Sequence, residues 1–457
     1  MNILPTFKEN AYLTLLIKDN FIYANLAYSN LVAQRTFLLS DSTDLSPLKF
    51  RLDDITFTKE FWFEYFDSLE KFFDWDIVDR TYEGIFKIKG FEHEEVGVSG
   101  IKVLIDDNQP FFKNIFISLK DFSRDISIKI LDDKYINQLM YGFVQRMGYS
   151  QIYWIDLDIS HFSIYTAKTE SISSGVFNKE RIPKTTINSS KIDWGNEIGL
   201  IDFIKTSKLK SFLTGEFTSE ELTDRWGNLI AHSCEYISDP LLHDVLRAFT
   251  TLQLLSIKQS NSDKFNGILS SESALIVTGN ISNLLTKREL LFSLIDGLEL
   301  EGMCDLFIDK ENKLFSFGKS IIDKEKSQDI VILRGDVLPK AIKILIPEVP
   351  IKSKNKVIFS GKVSAQGVQP RDIYAFGSSL QILKVPDLGE KIIVEGQLKN
   401  GTLFSHYTFN NIEFMSTKRN FEYEELVVDA RCRPIVYGPN PQDNRNKFKI
   451  WKDADKE

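Results

Sequence analysis

The stretch from Gln151 to Lys168, QIYWIDLDISHFSIYTAK, constrains this chain more than any other. A mostly apolar run ends in Asp-Leu-Asp, a short polar patch follows, and a second strand-like run begins. Two β-rich runs joined by a few polar residues predict a buried hairpin with the carboxylates of Asp156 and Asp158 at its tip. A helical pattern over Leu131–Tyr149 stops directly before it. Asp132 or Asp133 can cap its start, and Tyr135, Ile136, Leu139, Met140 and Phe143 fall on one side.

The same kind of punctuation runs along the rest of the chain. YLTLLIKDNFIYANLAY (Tyr12–Tyr28) is two β-rich runs around Lys18-Asp19-Asn20 and predicts a tight hairpin. Phe61–Phe73 has helical spacing, and Val96–Ile105 and Phe112–Leu119 read as strands. After the second hairpin, Glu170–Lys191 reads as a strand with loops and Asn196–Lys210 as a helix. Thr218-Ser219-Glu220-Glu221 is a capping-box pattern opening another. A break at Asp239-Pro240 precedes a helix from Leu241 to about Lys258. ALIVTGN (Ala274–Asn280) reads as a short buried strand ending in Gly279-Asn280, followed by a helix around Lys287–Asp296 and a strand at Met303–Asp309. From about Asp329 long helical periods give way to β-rich runs separated by turn signals, which predicts an all-β domain. The expected division is 1–150, 151–328, 329–430 and a tail, 431–457.

At 457 residues the chain exceeds what one hydrophobic core serves. The net charge of −8 and a pI near 5.4 argue against nucleic acid as a partner, because phosphate binding needs a basic face. Three cysteines, Cys234, Cys304 and Cys432, lie far apart and fit reduced thiols in a cytoplasmic protein. The five histidines show no ligand spacing, so no dedicated metal site is expected from them. No signal peptide and no membrane-spanning run are read from the sequence.

The order hairpin, helix, hairpin with Asp-Leu-Asp, long helices, strand ending in Gly, helix, strand resembles the actin–hexokinase–chaperone superfamily. Within it, bacterial cell-division and pilus-assembly actin homologues come nearest. The resemblance implies an α/β fold of duplicated actin-like (ribonuclease H-like) subdomains, here with a C-terminal all-β domain. In such families each half opens with a hairpin whose turn, Asp-x-Gly-x-x-(Ser/Thr), wraps nucleotide phosphates, and a later strand ends in Gly-Gly beside the adenosine. Bare backbone amides and glycine permit that close approach.

Carried over residue by residue, Asp156 takes the place of the family's metal-linked Asp, and Ser160 lies near the hydroxyl position. Asp158 stands where the Gly belongs, and its charge would repel a phosphate by ~1 kcal/mol or more. Gly279 is kept, with Asn280 in place of the second Gly; Asn tolerates positive φ, which would preserve the backbone shape. The first hairpin lacks the loop altogether. The implied cofactor is therefore none, or ATP/ADP with Mg held through Asp156, Asp158, Ser160, Gly279 and Asn280, with Asp156 as the metal ligand.

A second resemblance, covering residues from about 120 to the end, is carried by VVDARCRPIVYGPNPQDNRNKFKIWKDA (Val427–Ala454), which is similar to the closing segment of actin-type proteins of the glutamate mutase L kind. It rests on Asp429, Ala430, Arg431, Arg433 and Pro434, with Cys432 where a Gly is common. It implies fold and not activity.

Each feature also has a plainer reading. Asp156 and Asp158, two residues apart on a strand, could meet one cation, or be an inert polar tip. As a general acid–base pair they have no readable partner base. His161 reads as a surface or turn histidine, Ser270–Ser273 lacks a nucleophile elbow, and Arg334-Gly335-Asp336 reads as a turn. The aromatic stripe Phe61, Trp62, Phe63, Tyr65, Phe66, Phe72, Phe73, Trp75 reads as core or domain interface. The tail NKFKIWKDADK could lie on an anionic membrane or dock on its own β domain. Two functions stand: a scaffold or adaptor with a degenerate nucleotide site, working through protein partners, and an ATP-binding chaperone, reactivase or filament-forming ATPase. The absent first loop favours the scaffold, with at most a weak ATPase activity.

Overall fold

The computed structural model describes residues 10–18, 21–27, 60–65, 86–88, 96–106, 112–122, 126–147, 149–158, 161–170, 184–193, 209, 212–215, 217–231, 240–260, 268–269, 273–310, 312–315, 340–365, 368–384, 392–400, 412–415, 423–431, 442–443 and 446. The chain forms two compact units: residues 1–139 with 311–338, and residues 140–310 with 339–457.

The first unit opens on the expected hairpin. β1 (Asn10–Lys18) and β2 (Phe21–Ala27) pair antiparallel from Tyr12↔Ala27 to Lys18↔Phe21, which leaves two residues for the turn. β1 then lies parallel to β4 (Val96–Asp106), which carries β5 (Ser127–Leu131) parallel at one end and β3 (Phe86–Ile88) antiparallel at the other. A short helix, α1, covers residues 60–65 of the longer one expected at Phe61–Phe73; the rest lies outside the described residues. Its Trp62 is buried, and the indole N–H donates to Ser118 Oγ at 2.9 Å.

That serine belongs to α2 (Phe112–Phe122), where the sequence led us to expect a strand. The correction has a physical reason: Ile115, Ser118 and Leu119 are the buried positions, a spacing of three and four that only a helix puts on one face. α3 (Asp133–Met147) matches its expectation, with Asp132 Oδ1 accepting the Tyr135 N–H at 2.8 Å as its cap. Tyr135, Ile136, Leu139, Met140 and Phe143 are buried along it.

The second unit is built on one long sheet. Among the described residues its order is β15 (Leu380–Lys384), β18 (Tyr423–Asp429), β12 (Ala341–Ile346), β11 (Glu301–Ile308), β10 (Ser273–Thr278), β6 (Gln151–Leu157), β7 (His161–Glu170) and β8 (Lys184–Asp193), with β9 (Ile268–Leu269) on β11. β6 (Gln151–Leu157), β7 (His161–Glu170) and β8 (Lys184–Asp193) form an antiparallel meander. β6 is parallel to β10 (Ser273–Thr278), and β10 to β11 (Glu301–Ile308). Hairpin, then a parallel strand, then another parallel strand: the first unit runs through the same order in β2-β1-β4-β5.

Helices α4 (Ser219–Ala231), α5 (Pro240–Ser260), α6 (Asn280–Leu284) and α7 (Lys287–Gly297) complete this unit. The capping box at α4 is present: the Glu221 N–H donates to Thr218 Oγ1 at 3.1 Å and the Thr218 N–H to Glu221 Oε2 at 2.8 Å. Pro240 is the first residue of α5, where its missing N–H costs nothing. The alternate residues Tyr153, Ile155 and Leu157 join Leu275, Val277 and Leu306 in one core with these helices. The helix expected over Asn196–Lys210 lies outside the described residues except at Leu209.

Between 341 and 429 the described regular structure is strand, apart from one 3-10 turn at Ile351–Ser353, as the sequence led us to expect. Three of these strands nevertheless extend the long sheet: β12 (Ala341–Ile346), β15 (Leu380–Lys384) and β18 (Tyr423–Asp429). The others, β13 (Val357–Ala365), β14 (Val368–Phe376), β16 (Ile392–Leu398) and β17 (Ile412–Met415), form a separate four-stranded sheet. Leu345, Ile358, Phe359, Ile373, Leu426 and Val428 make the core that joins the two.

Buried charge pins this extension. Asp305 of β11 accepts from Lys343 Nζ at 2.8 Å, its registered partner on β12, and from the Tyr423 and Tyr149 hydroxyls at 3.0 and 2.8 Å. Arg431, just past β18, is fully buried between Asp429 and Asp296 of α7, with nitrogen–oxygen distances of 2.7 to 3.2 Å. Its guanidinium also lies 5.2 Å from the Phe292 ring centroid. The Asp-Ala-Arg run at 429–431 is thus a structural lock; Arg433, Pro434 and Arg334-Gly335-Asp336 lie outside the described residues.

Candidate functional site

In open α/β sheets ligands bind beyond the carboxyl ends of the parallel strands. In the second unit that edge is made by the end of β6, the turn into β7, and the end of β10. In-register neighbours share a face of the sheet, so Thr278, Asp156 and Ser163 form one row across β10, β6 and β7. All three are buried. The Thr278 hydroxyl donates to Asp156 Oδ1 at 2.8 Å and accepts the Trp154 indole N–H at 3.0 Å. Trp154 is held in turn by an edge-to-face contact with Phe143 of α3, ring centroids 6.0 Å apart.

Asp158 lies one residue beyond the end of β6 and is fully buried. Its backbone N–H donates to the His161 carbonyl at 3.0 Å, closing the hairpin, and its Oδ1 accepts the Asn280 N–H at 3.0 Å. Its Oδ2 lies 3.5 Å from His161 Nε2. The two carboxylates are therefore spent separately, Asp156 on a hydroxyl and Asp158 on the first amide of α6. Among the described residues Asp156 belongs to no group of three ligating side chains.

Gly279 has φ +97°, a conformation L side chains rarely adopt. A Cβ there would sit 2.3 Å from the Leu157 carbonyl oxygen and 2.6 Å from its nitrogen. The bareness of this glycine is thus consumed by the hairpin's own backbone. Asn280 corrects its expectation: it does not take positive φ but opens α6 in helical conformation. Its position is fixed because its N–H answers Asp158. Ser160 lies outside the described residues.

His161 is a further correction. It is 4% exposed and opens β7, where the sequence suggested a surface or turn position. Thr278, Trp154 and Ser163 were missed as members of the site. Thr278 did leave a signal, a hydroxyl at the last strand residue before Gly279 in ALIVTGN; Trp154 and Ser163 left none beyond alternation with the core positions.

No protein-family model matches the chain, and no curated protein matches it. Among solved structures, a ParM filament from Clostridium botulinum overlaps with a TM-score of 0.31 at 10% identity, covering 68% of this chain and 99% of that one. A Bacteroides thetaiotaomicron protein with an actin-like ATPase fold and unknown function gives 0.25 at 9%, over 72% and 99%. A Ppx/GppA family protein from Aquifex aeolicus gives 0.28 at 11%, over 71% and 86%. Overlaps this loose carry no weight for this chain, whose mixed α/β fold rests on its own strand order.

Proposed function

We propose that this protein is an actin-like scaffold or adaptor that works through contacts with other proteins, and that its nucleotide site is closed by its own atoms. The actin-like reading is supported by the strand order shared by the two units, each a hairpin followed by two parallel strands. One observation carries the closed site: the Asp158 carboxylate sits on the Asn280 amide, at the edge where a phosphate would need bare N–H groups. A phosphate entering there would have to break a charge-assisted hydrogen bond, worth roughly 1.5–3 kcal/mol, and then face the displaced carboxylate. Leu157 packed against Gly279 closes the second approach.

A second reading, an ATP-binding chaperone, reactivase or filament-forming ATPase, is favoured by one observation. The Ser163 hydroxyl, buried in register with Asp156, makes no hydrogen bond within the described structure. A ligand at the strand ends would satisfy it, with Asp156 as the residue to hold Mg. Calorimetric titration of the full chain with ATP and ADP in magnesium decides between the two. The scaffold reading expects no saturable heat at millimolar nucleotide and no rise in Tm. A nucleotide at one hundred times its Kd would add ~2.7 kcal/mol of stability. Saturable binding that Asp156→Ala abolishes overturns the scaffold reading in favour of the second.

A further inference from the structure

We infer that Lys18 is a tethered cation of the first unit, the built-in counter-ion of Asp106 at the ends of β1 and β4. Lys18 has no exposed surface and Asp106 is 4% exposed, so neither charge is hydrated in the usual way. The last registered pair between the two parallel strands is Ile17↔Ile105. The next row places Lys18 beside Asp106 on one face, with strand axes ~4.8 Å apart. A lysine stem is long enough to turn its ammonium onto a carboxylate at that spacing.

The other side of the ammonium is also built. Lys18 Nζ lies 5.0 Å from the centroid of the Phe315 ring, a cation–π contact in a dry setting. Phe315 is held in place by the Tyr135 hydroxyl, which donates to its carbonyl at 2.9 Å and accepts from Lys102 Nζ at 3.3 Å. Burial pushes the Tyr135 phenol well above its ordinary range, so it stays a neutral donor. The ends of parallel strands are where an α/β sheet places a ligand and its cation. In the first unit the chain supplies the cation covalently.

Thermal unfolding of the full chain as Lys18→Met, Asp106→Asn and the double variant tests this. Lys18→Met leaves a buried carboxylate without its counter-charge, and Asp106→Asn removes that charge. The expected result is a fall in Tm of several degrees for Lys18→Met and recovery of at least half of it in the double variant. Should Lys18→Met fail to fold, the folded, soluble yield of the double variant is compared with it and is expected to be higher. A Lys18→Met protein with the parental Tm overturns the inference. So does a double variant no more stable, and no better folded, than Lys18→Met alone.

Discussion

The carboxylate of Asp158 caps the backbone amide of Asn280 at 3.0 Å, joining two points 122 residues apart in the chain. The hairpin tip and the first turn of α6 are thereby one structural object. Asp158→Ala frees that amide in a buried setting. By analogy with other carboxylate caps, a loss of ~1–2 kcal/mol is expected in urea unfolding.

Gly279 is the tighter constraint. Its φ of +97° acts together with the Leu157 carbonyl oxygen, which would lie 2.3 Å from any methyl added there. Gly279→Ala is expected to cost at least ~2 kcal/mol, visible as a fall in the denaturation midpoint.

Arg431 neutralises two buried carboxylates, Asp296 and Asp429. Arg431→Met leaves Asp296 and Asp429 facing each other, and a loss of about 3–5 kcal/mol is expected. Adding Asp296→Asn to that variant should return part of it, measured by the same urea series.

At the start of α4, hydrogen bonds from the Thr218 backbone and hydroxyl, with Arg225 nearby, hold the Glu221 carboxyl below its ordinary range. A depressed carboxylate contributes stability that is full above the ordinary glutamate value and is lost as pH falls through the folded value. Glu221→Gln, which removes the titrating carboxyl, should therefore flatten the acid limb of the stability profile and lower the denaturant midpoint at neutral pH. Denaturant midpoints taken from pH 3 to 7 give both quantities.

Burial pushes the Cys304 thiol far up, with Asp305 adding to the effect. Thiolate is the reactive form, so Cys304 is expected to resist alkylation in the native protein and to react once unfolded. Mass mapping of iodoacetamide labelling at that residue reads this directly.

What the sequence could tell depended on how local each cause was. The hairpins at β1–β2 and β6–β7 were legible because a polar turn between β-rich runs is a short-range signal. The caps at Asp132 and Thr218 were legible for the same reason. α2 was misread because Phe112–Leu119 is rich in residues that favour strands, and only the spacing of Ile115, Ser118 and Leu119 reveals its buried face. At the site, Asp156, Asp158, Gly279 and Asn280 could be singled out, but not what they do to one another. Asp158 finds Asn280, and Thr278 finds Asp156, across 122 residues, a distance at which pattern is silent. The same holds for β12, β15 and β18, whose place in the long sheet is decided by tertiary pairing.

The position of β18 has a consequence for biosynthesis. It is the last of the described strands, yet it lies inside the sheet, between β12 and β15. A ribosome delivering this chain exposes both of those strands as open edges until Tyr423–Asp429 emerges to fill the slot. Cutting the chain before Tyr423 would leave two unsatisfied ladders, each a template for pairing with a neighbouring molecule. Of the described strands, the last to be made is therefore the one that ties β15 to the rest of the long sheet.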